Sequence, residues 1–279
     1  MSPESRPPPL EFDLVDDAGI YNHDGSVRAE TIDNIESAID GLDTATLRNL
    51  VRPLHESELG DLLEALDQEH RQSFVELTGE DFDFAALTEV DEAIRLEIVD
   101  ALPNEQIAEG FKELDSDDAV YILEDMEEAD QEDVLAKVPF QDRVRLRRSL
   151  DYPEETAGRR MQTEFVAVPP FWTVGQVIDH LRDDQDLPQR FSEIFLIEPT
   201  FKLAGTVALD RLLRTQRETS ISDIQNDVLH SIDASVDQEE AALVFEQYDL
   251  LSAPVVDSNE RLVGVLTIDD VVDVLQEEA

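Results

Sequence analysis

The sequence contains no cysteine, and basic residues are scarce beside acidic ones. Without cysteine, disulfides, thiolate metal sites and cysteine nucleophiles are excluded. Lys and Arg number 21 against 67 Asp and Glu, which gives a formal net charge of -46 at pH 7. This balance argues against nucleic-acid binding, because phosphate contacts need clustered basic side chains, and against docking on an anionic membrane surface.

Long apolar runs and catalytic signatures are also missing. The longest mostly apolar stretch, Phe165–Val174, is interrupted by two prolines, whereas a membrane-spanning helix needs roughly 20 apolar residues. The first residues carry no apolar signal core, so we expect a flexible tail over residues 1–29 and a soluble chain. No P-loop, G-x-G-x-x-G, zinc-type histidine spacing or local catalytic triad signature is present. The sequence therefore does not indicate an enzyme.

A twelve-residue period runs through the first half. Steps of twelve from Leu42 reach mostly apolar residues, and the residue nine places after each of the first nine steps is apolar in eight cases: Val51, Leu63, Val75, Leu87, Val99, Phe111, Leu123 and Leu135. Twelve residues accommodate a two-turn helix and a tight turn, with Asp or Pro suited to the helix start. Because such short helices must stack to be stable, residues 30–150 are predicted to form an all-α superhelix. An irregular helical bundle is the alternative.

The second half is predicted to be an α/β tandem repeat. After a connector at residues 151–160, short β-type runs alternate with amphipathic helices. The segment that begins at Gly205 matches the one that begins at Gly264, and the run that ends at Glu198 matches the one that ends at Asp257. The separation in sequence is the same for both matches. Two copies are therefore expected, over residues 161–222 and 223–279.

Each copy resembles a CBS domain, with a helix start, a hairpin around a glycine and a closing helix. The junction from Tyr152 to Val168 and the closing run from Thr267 to Leu275 further resemble the cytosolic part of MgtE-type magnesium transporters. The resemblance implies a fold class, namely an all-α superhelical N domain followed by α/β tandem CBS domains. It also implies a place on the cytoplasmic face of the membrane, attached to a transmembrane domain of the same full-length protein.

The resemblance implies that Mg²⁺ bridges acidic faces of the N domain and the CBS pair and thereby gates the attached pore, closing it at high Mg²⁺. Such hard cations prefer oxygen ligands and retain waters. The family places its ion-bridging acids at positions that this sequence fills with Asp117, Asp118, Glu239, Asp249, Asp270, Asp273 and Glu278. Each could instead be a solvated surface acid or a helix cap.

Several positions depart from the family pattern. Tyr121 and Ala85 stand where an acid might be expected, so that part of the ion cluster could be absent or rebuilt from Glu89 and Glu124. The resemblance also implies a homodimer through the CBS domains.

Some CBS pairs bind adenine nucleotides, and this sequence keeps only part of that pattern. The expected ribose-binding aspartate is Asp270, in the same motif as Thr267, whereas the first copy has Arg211 and Ala208 in these places. Arg211 could instead meet a phosphate.

Three other interpretations stay open from the sequence. The chain could be a soluble adaptor with a CBS adenine-nucleotide switch, whose helical part binds a protein partner. It could be a hydrolase that uses paired carboxylates, although no catalytic signature supports this. The acidity could also reflect a saline habitat. Charge reversal at Asp270 and Asp249 discriminates, because generic solubilising charge tolerates such changes.

Overall fold

The computed structural model describes residues 19–226 and 229–277. Glu278, one of the predicted metal ligands, lies outside the described residues. The chain forms two compact units, residues 1–101 and residues 102–279, which we describe separately. This division falls inside the helical region, so the last helices of the predicted N domain pack with the β-containing part. The predicted domain boundaries at residues 29, 150, 160 and 222 stay predictions.

Short helices follow one another through the first half, as the twelve-residue period predicts. In the first unit they are α1 (Ala29–Asp40), α2 (Thr44–Val51), α3 (Glu56–Ala65), α4 (Gln68–Thr78) and α5 (Glu92–Ala101). The second unit begins with α6 (Asn104–Gly110), α7 (Ser116–Glu124), α8 (Glu128–Lys137) and α9 (Phe140–Leu150). From α2 onward, each of these helices starts two residues after a step of the period.

One repeat does not form an α-helix. Residues after Thr78 form the 3₁₀ turns Gly79–Asp81 and Phe84–Leu87. Gly79 ends α4 at a positive φ of 57°, a conformation that glycine adopts without steric cost. The two turns still bury Phe82, Phe84 and Leu87, so this repeat contributes to the core without a two-turn helix.

A polar side chain at the same phase of three repeats binds the end of the preceding helical segment. Helix ends leave carbonyl oxygens without partners. Side chains five residues after the step position donate to such carbonyls: Arg71 to Leu66 at 2.6 Å, Arg95 to Val90 at 3.3 Å and Gln131 to Leu123 at 2.9 Å. Each hydrogen bond joins one repeat to the next, and burial of the apolar positions completes the stacking.

Two small sheets of the same topology form the rest of the second unit. The first contains β1 (Ala167–Val168), β2 (Glu193–Ile197) and β3 (Leu203–Ala208), and the second contains β4 (Ile232–Asp233), β5 (Ser252–Val256) and β6 (Leu262–Thr267). In each sheet the first strand pairs with the second in parallel, and the second and third strands form an antiparallel hairpin. The helices are α11 (Val174–Asp183), α12 (Leu209–Leu213), α13 (Gln238–Tyr248) and α14 (Ile268–Glu277).

The two copies confirm the predicted internal repeat. Both hairpins and the starts of both closing helices keep the offset that separates Gly205 from Gly264, whereas the offset between α11 and α13 is longer. The equivalent residues Lys202 and Arg261 form an antiparallel bridge with each other. Equivalent positions therefore meet at a local two-fold relation between the halves, and residues such as Leu262 and Val265 pack in the same seam.

The connector packs on the second CBS half, although the first half follows it in sequence. It contains the short helix α10 (Ala157–Arg160). The amides of Ala157 and Gly158 donate to Val236 and Ala234 at 2.8 and 2.9 Å. Met161 is fully buried in the core of this second half. The helical region is thus joined through its connector to the half that carries most of the predicted acidic site.

Candidate functional site

Asp270 lies in the first turn of α14, directly after β6. Its Oδ2 accepts hydrogen bonds from the backbone amide of Thr267 at 2.9 Å and from the Thr267 hydroxyl at 2.7 Å. These are the contacts of a helix start, in which a side chain in the first turn satisfies the amide of the capping residue. The helix-cap interpretation of Asp270 is therefore correct, and it leaves Oδ1 of this carboxyl for another role.

The beginning of α7 is held beside this helix start by residues that follow the connector. Gln162 pairs with Val265 of β6 in an isolated bridge. The next residue, Thr163, donates from its amide to the Ser116 hydroxyl at 2.8 Å, and Glu164 Oε2 accepts from the Ser116 amide at 3.2 Å. Because Ser116 is the first residue of α7, these contacts set the N-terminus of α7 next to the end of β6.

As a result, the carboxyl groups of Asp117 and Asp270 lie within hydrogen-bonding reach of each other. Burial, followed by repulsion from Asp270, raises the pKa of Asp117 well above its ordinary value. Burial also raises the pKa of Asp270, to about 6, although its hydrogen bonds with Asp117 and Thr267 oppose that shift. Two ionised carboxylates this close repel strongly, so the pair binds a proton more readily than an isolated aspartate does.

One oxygen of this pair lacks a hydrogen bond. Oδ1 of Asp117 is buried, and no group in the described part of the chain donates to it. A buried acceptor without a donor is unfavourable by about 1–3 kcal/mol. The side chains at this point thus offer an unsatisfied, negatively polarised oxygen beside a second carboxylate.

The other predicted acids of the described residues lie on α7 and α14 and at the two ends of α13. Asp118 follows Asp117 in the first turn of α7, and Glu239 is in the first turn of α13. Asp249 ends α13 in a left-handed conformation with φ of 51°. Glu239, Asp249 and Asp273 are exposed, whereas Asp118 is half-buried. The structure brings Asp117 and Asp270 together, and the assignments of the remaining acids stay predictions.

The predicted nucleotide residues are only partly arranged alike in the two halves. Thr267 and Asp270 are hydrogen-bonded to each other in the second half. In the first half the exposed Arg211 donates to the carbonyl oxygen of Gln225 at 3.0 Å. Ala208, which corresponds to Thr267, has no side chain that could make such a bond.

Glu124, considered above as a substitute ligand, is engaged by arginine. Its Oε1 accepts from Arg160 at 2.7 Å, and its Oε2 lies 3.9 Å from Nε of Arg159. Tyr121 lies under the Arg160 guanidinium, 5.3 Å from the ring centroid. Tyr121, which stands where an acid might be expected, is therefore part of an arginine-binding cluster. Glu89 and Ala85 lie in the first unit, and their part in a metal site stays untested.

The chemistry of the Asp117–Asp270 pair suits a hard divalent cation. Mg²⁺ prefers oxygen ligands, keeps several waters and is often held by only one or two carboxylates. Within residues 19–226 and 229–277, no group of three or more His, Asp or Glu side chains is arranged to hold a metal ion. An ion at this pair would therefore have few protein ligands in that part of the chain and would keep most of its waters. Across the same residues, no helix is long and apolar enough to cross a membrane.

Comparisons with known proteins agree with the domain organisation of the chain. Residues 54–155 match the model of the MgtE intracellular N domain, and residues 221–277 match that of the CBS domain. The magnesium transporter MgtE of Thermus thermophilus is 31% identical over 88% of this chain and 55% of the relative. That of Bacillus subtilis is 25% identical over 83% of this chain and 51% of the relative. The chain spans about half the length of these curated relatives.

Two solved structures share the fold over nearly their whole length. The soluble part of a magnesium transporter superposes with a TM-score of 0.79 at 25% identity, over 90% of this chain and 98% of that one. The cytosolic domain of the Mg²⁺ channel MgtE in complex with ATP also gives 0.79, at 27% identity, over 87% and 99%. The matching domains are those of a transporter and not of an enzyme. In sequence and fold, this chain is an MgtE N domain followed by tandem CBS domains, the arrangement of the cytosolic part of MgtE-type magnesium transporters.

Proposed function

We propose that this chain senses Mg²⁺ on the cytoplasmic side of a magnesium transporter and gates an attached transmembrane pathway. The observation that carries the proposal is the pairing of Asp117 on α7 with Asp270 on α14, with Asp117 Oδ1 buried and without a donor among the described residues. At neutral pH the pair holds more negative charge than its surroundings favour. A bound Mg²⁺ supplies the positive charge that a bound proton supplies at low pH.

The net charge of the chain determines that Mg²⁺ favours the approach of the two acidic surfaces. The chain carries a formal net charge of -46, so separation of its acidic surfaces is favoured when no cation neutralises them. Asp117 belongs to the helical N domain and Asp270 to the second CBS half. An ion that binds both side chains stabilises their approach by mass action, because it binds the approached state more tightly.

The relatives support the remaining parts of the proposal. They are magnesium transporters, and this chain spans about half of their length. We therefore propose that the chain is attached to a transmembrane domain, that it lies on the cytoplasmic face, and that high Mg²⁺ closes the pathway.

Thermal unfolding in MgCl₂, with ionic strength matched by NaCl, tests the sensing proposal. Mg²⁺ at 100 times its dissociation constant stabilises the folded state by about 2.7 kcal/mol, so the melting temperature of the wild type rises. Asp270→Asn removes one charge of the pair and abolishes most of this rise. Asp186→Asn removes an exposed charge in the first CBS half, and this variant keeps the rise in melting temperature. An equal rise in all three proteins contradicts the proposal.

A homodimer through the CBS domains forms part of the proposal. Large apolar side chains are exposed on α13, on α14 and just after α13: Leu243, Tyr248, Leu251, Ile268, Val272 and Leu275. Ile268, Val272 and Leu275 follow one another at helical spacing and form one stripe. Such a stripe suits a two-fold contact with a second copy, since cyclic dimers are the commonest closed assembly.

An adenine-nucleotide switch is the second candidate, favoured by the Thr267–Asp270 pair and by the likeness to the cytosolic domain solved with ATP. Calorimetry with ATP and AMP, each with and without Mg²⁺, separates it from the sensor. Heat from nucleotide together with no response to Mg²⁺ alone supports the switch. A response to Mg²⁺ alone supports the sensor.

A further inference from the structure

Arg160 joins three elements of the second unit through one guanidinium group. Nη1 donates to Glu124 of α7 at 2.7 Å, and Nε donates to Gln238 of α13 at 3.0 Å. The same group lies over the ring of Tyr121 of α7 at 5.3 Å. Because Arg160 itself ends α10, the connector, the N-domain helix and the second CBS half are all held at this point.

The cluster around Arg160 is largely buried. Exposed fractions of the side chains are 14% for Glu124, 18% for Arg160 and 9% for Arg159. Nε of Arg159 and Oε2 of Glu124 are 3.9 Å apart, and neither makes a hydrogen bond among the described residues. Burial raises the pKa of Glu124, and the charges of Arg160 and Arg159 oppose that shift. A buried pair of this kind is costly to separate, and its best-attested use is to specify one arrangement.

The cluster and the carboxyl pair lie at opposite ends of one helix face. Asp117, Tyr121 and Glu124 are spaced i, i+4 and i+7 on α7 and therefore share a face. Seven residues of α-helix span about 10 Å. Fixing Glu124 by Arg160 consequently fixes both the rotation of α7 about its axis and the direction in which Asp117 projects.

We propose that the Glu124–Arg160 ion pair is a positioning device that holds Asp117 against Asp270 and so sets the Mg²⁺ affinity of the pair. The inference rests on the proposed sensing function and assigns residues to it. Glu124 and Arg160 act through α7 and do not contact the ion. Two repelling carboxyl groups remain close because α7 is held at both ends, by the contacts of Ser116 at its start and by this ion pair at its far end, and a cation then finds its ligands already arranged.

The test compares Mg²⁺ titrations of four variants, followed by thermal unfolding. Arg160→Met leaves Glu124 without its main partner, while Arg160→Lys keeps the charge. Glu124→Gln combined with Arg160→Met removes both charges of the ion pair, so that neither of its members is left as a lone buried charge. Arg147→Met breaks the exposed ion pair between Arg147 of α9 and Glu132 of α8 and serves as the control. We expect the Mg²⁺ midpoint to rise at least tenfold in the double variant, less in Arg160→Lys, and to stay within twofold in Arg147→Met.

A second measurement reports, without Mg²⁺, the position of α8, which follows α7 after three residues. The chain has no cysteine, so cysteines at the exposed positions Ala129 on α8 and Asn259 after β5 can carry spin labels. In protein diluted with unlabelled chains, the distance distribution between the labels is expected to be narrow in the wild type. In the double variant it is expected to be at least twice as wide.

The two measurements separate the possible failures. A folded double variant that keeps both the wild-type Mg²⁺ midpoint and the narrow distribution overturns the positioning role. A wild type that does not respond to Mg²⁺, together with a broadened distribution in the double variant, overturns the sensing function and leaves the anchoring of α7 in place. A loss of melting temperature in the double variant with an unchanged midpoint shows a merely structural pair and also overturns the inference.

Discussion

The carboxyl groups of Asp117 of α7 and Asp270 of α14 lie within hydrogen-bonding reach of each other, although the whole connector and most of the CBS pair lie between them in sequence. Asp270 is also bound by Thr267, whereas Oδ1 of Asp117 receives no donor among the described residues. This relationship unites the helical N domain with the second CBS half and underlies the predictions that follow.

The pH dependence of stability without divalent ions tests the pair directly. An aspartate whose folded pKa is raised favours folding below its unfolded value of about 3.9. This contribution is lost as pH rises through the folded pKa, which is about 6 for Asp270. In EDTA, we therefore expect Asp270→Asn to be more stable than the wild type at pH 7, by at most about 3 kcal/mol, and the two to converge near pH 4.

The matched control for this measurement is Asp186→Asn, which removes an exposed charge. Its stability difference from the wild type is expected to stay within about 0.5 kcal/mol. Urea unfolding from pH 4 to pH 7.5 measures the stability of the wild type and of both variants as a function of pH. If Asp270→Asn is less stable than the wild type at pH 7, the pair is not strained and the account of it is wrong.

Thr267→Ala removes the hydroxyl that donates to Asp270 at 2.7 Å. Because this hydrogen bond stabilises the ionised form, its loss raises the pKa of Asp270 further above its ordinary value. Loss of a capping contact also lowers stability by roughly 1 kcal/mol. Carbon NMR of the Asp270 carboxyl during a pH titration measures its pKa. An unchanged or lowered titration midpoint in Thr267→Ala contradicts the prediction.

Gly264 and Gly205 occupy equivalent places in the two halves and are expected to respond differently to alanine. A Cβ at Gly264 would lie 2.5 Å from Met161 Sδ and 2.6 Å from the carbonyl oxygen of Gln162. At Gly205 the nearest atom is the side-chain oxygen of Gln225, at 2.6 Å, and this flexible side chain can move away.

We therefore expect Gly264→Ala to cost about 2–3 kcal/mol and Gly205→Ala less than about 1 kcal/mol, as typical of overpacking with and without room to relax. Chemical denaturation of both variants measures the difference. Equal losses would show that Gln162 does not constrain β6, and would weaken the explanation of how α7 reaches Asp270.

Val272→Glu tests the proposed dimer face on α13 and α14. Val272 is 42% exposed in the single chain, so the substitution does not disturb the core, but it places a charge in an apolar two-fold contact. Sedimentation is expected to show dimers for the wild type and monomers for Val272→Glu. Phe171→Glu, at a side chain that is 75% exposed in the first CBS half, is expected to stay dimeric. If Val272→Glu and Phe171→Glu have the same mass in solution, the dimer contact does not lie on α13 and α14.

Much of the fold could be predicted from the sequence because its signals are local. The twelve-residue period gives the starts of eight helices, since each start depends on a cap and on apolar residues within one repeat. The repeat after Thr78 escaped this prediction because Gly79 turns the chain at positive φ and two short turns bury the apolar residues instead. The constant offset between the two CBS copies predicted both hairpins for the same local reason.

The candidate site was only partly predictable. Asp117 and Asp270 came from the resemblance to MgtE-type transporters, and the structure brings them together. Arg160 and Glu164 were not expected to take part. Their partners Glu124, Gln238 and Ser116 lie 36, 78 and 48 residues away, and no periodic pattern encodes contacts at such separations. The one available signal was basic charge, because Arg159 and Arg160 are adjacent in a strongly acidic chain.

Anomalous diffraction from a crystal containing Mn²⁺, which shares with Mg²⁺ a preference for oxygen ligands, tests the central claim most directly. The account predicts an anomalous peak between the carboxyl groups of Asp117 and Asp270, and the loss of that peak in Asp270→Asn. Ordered carboxyl groups without a peak between them, at an Mn²⁺ concentration that raises the melting temperature, would contradict it.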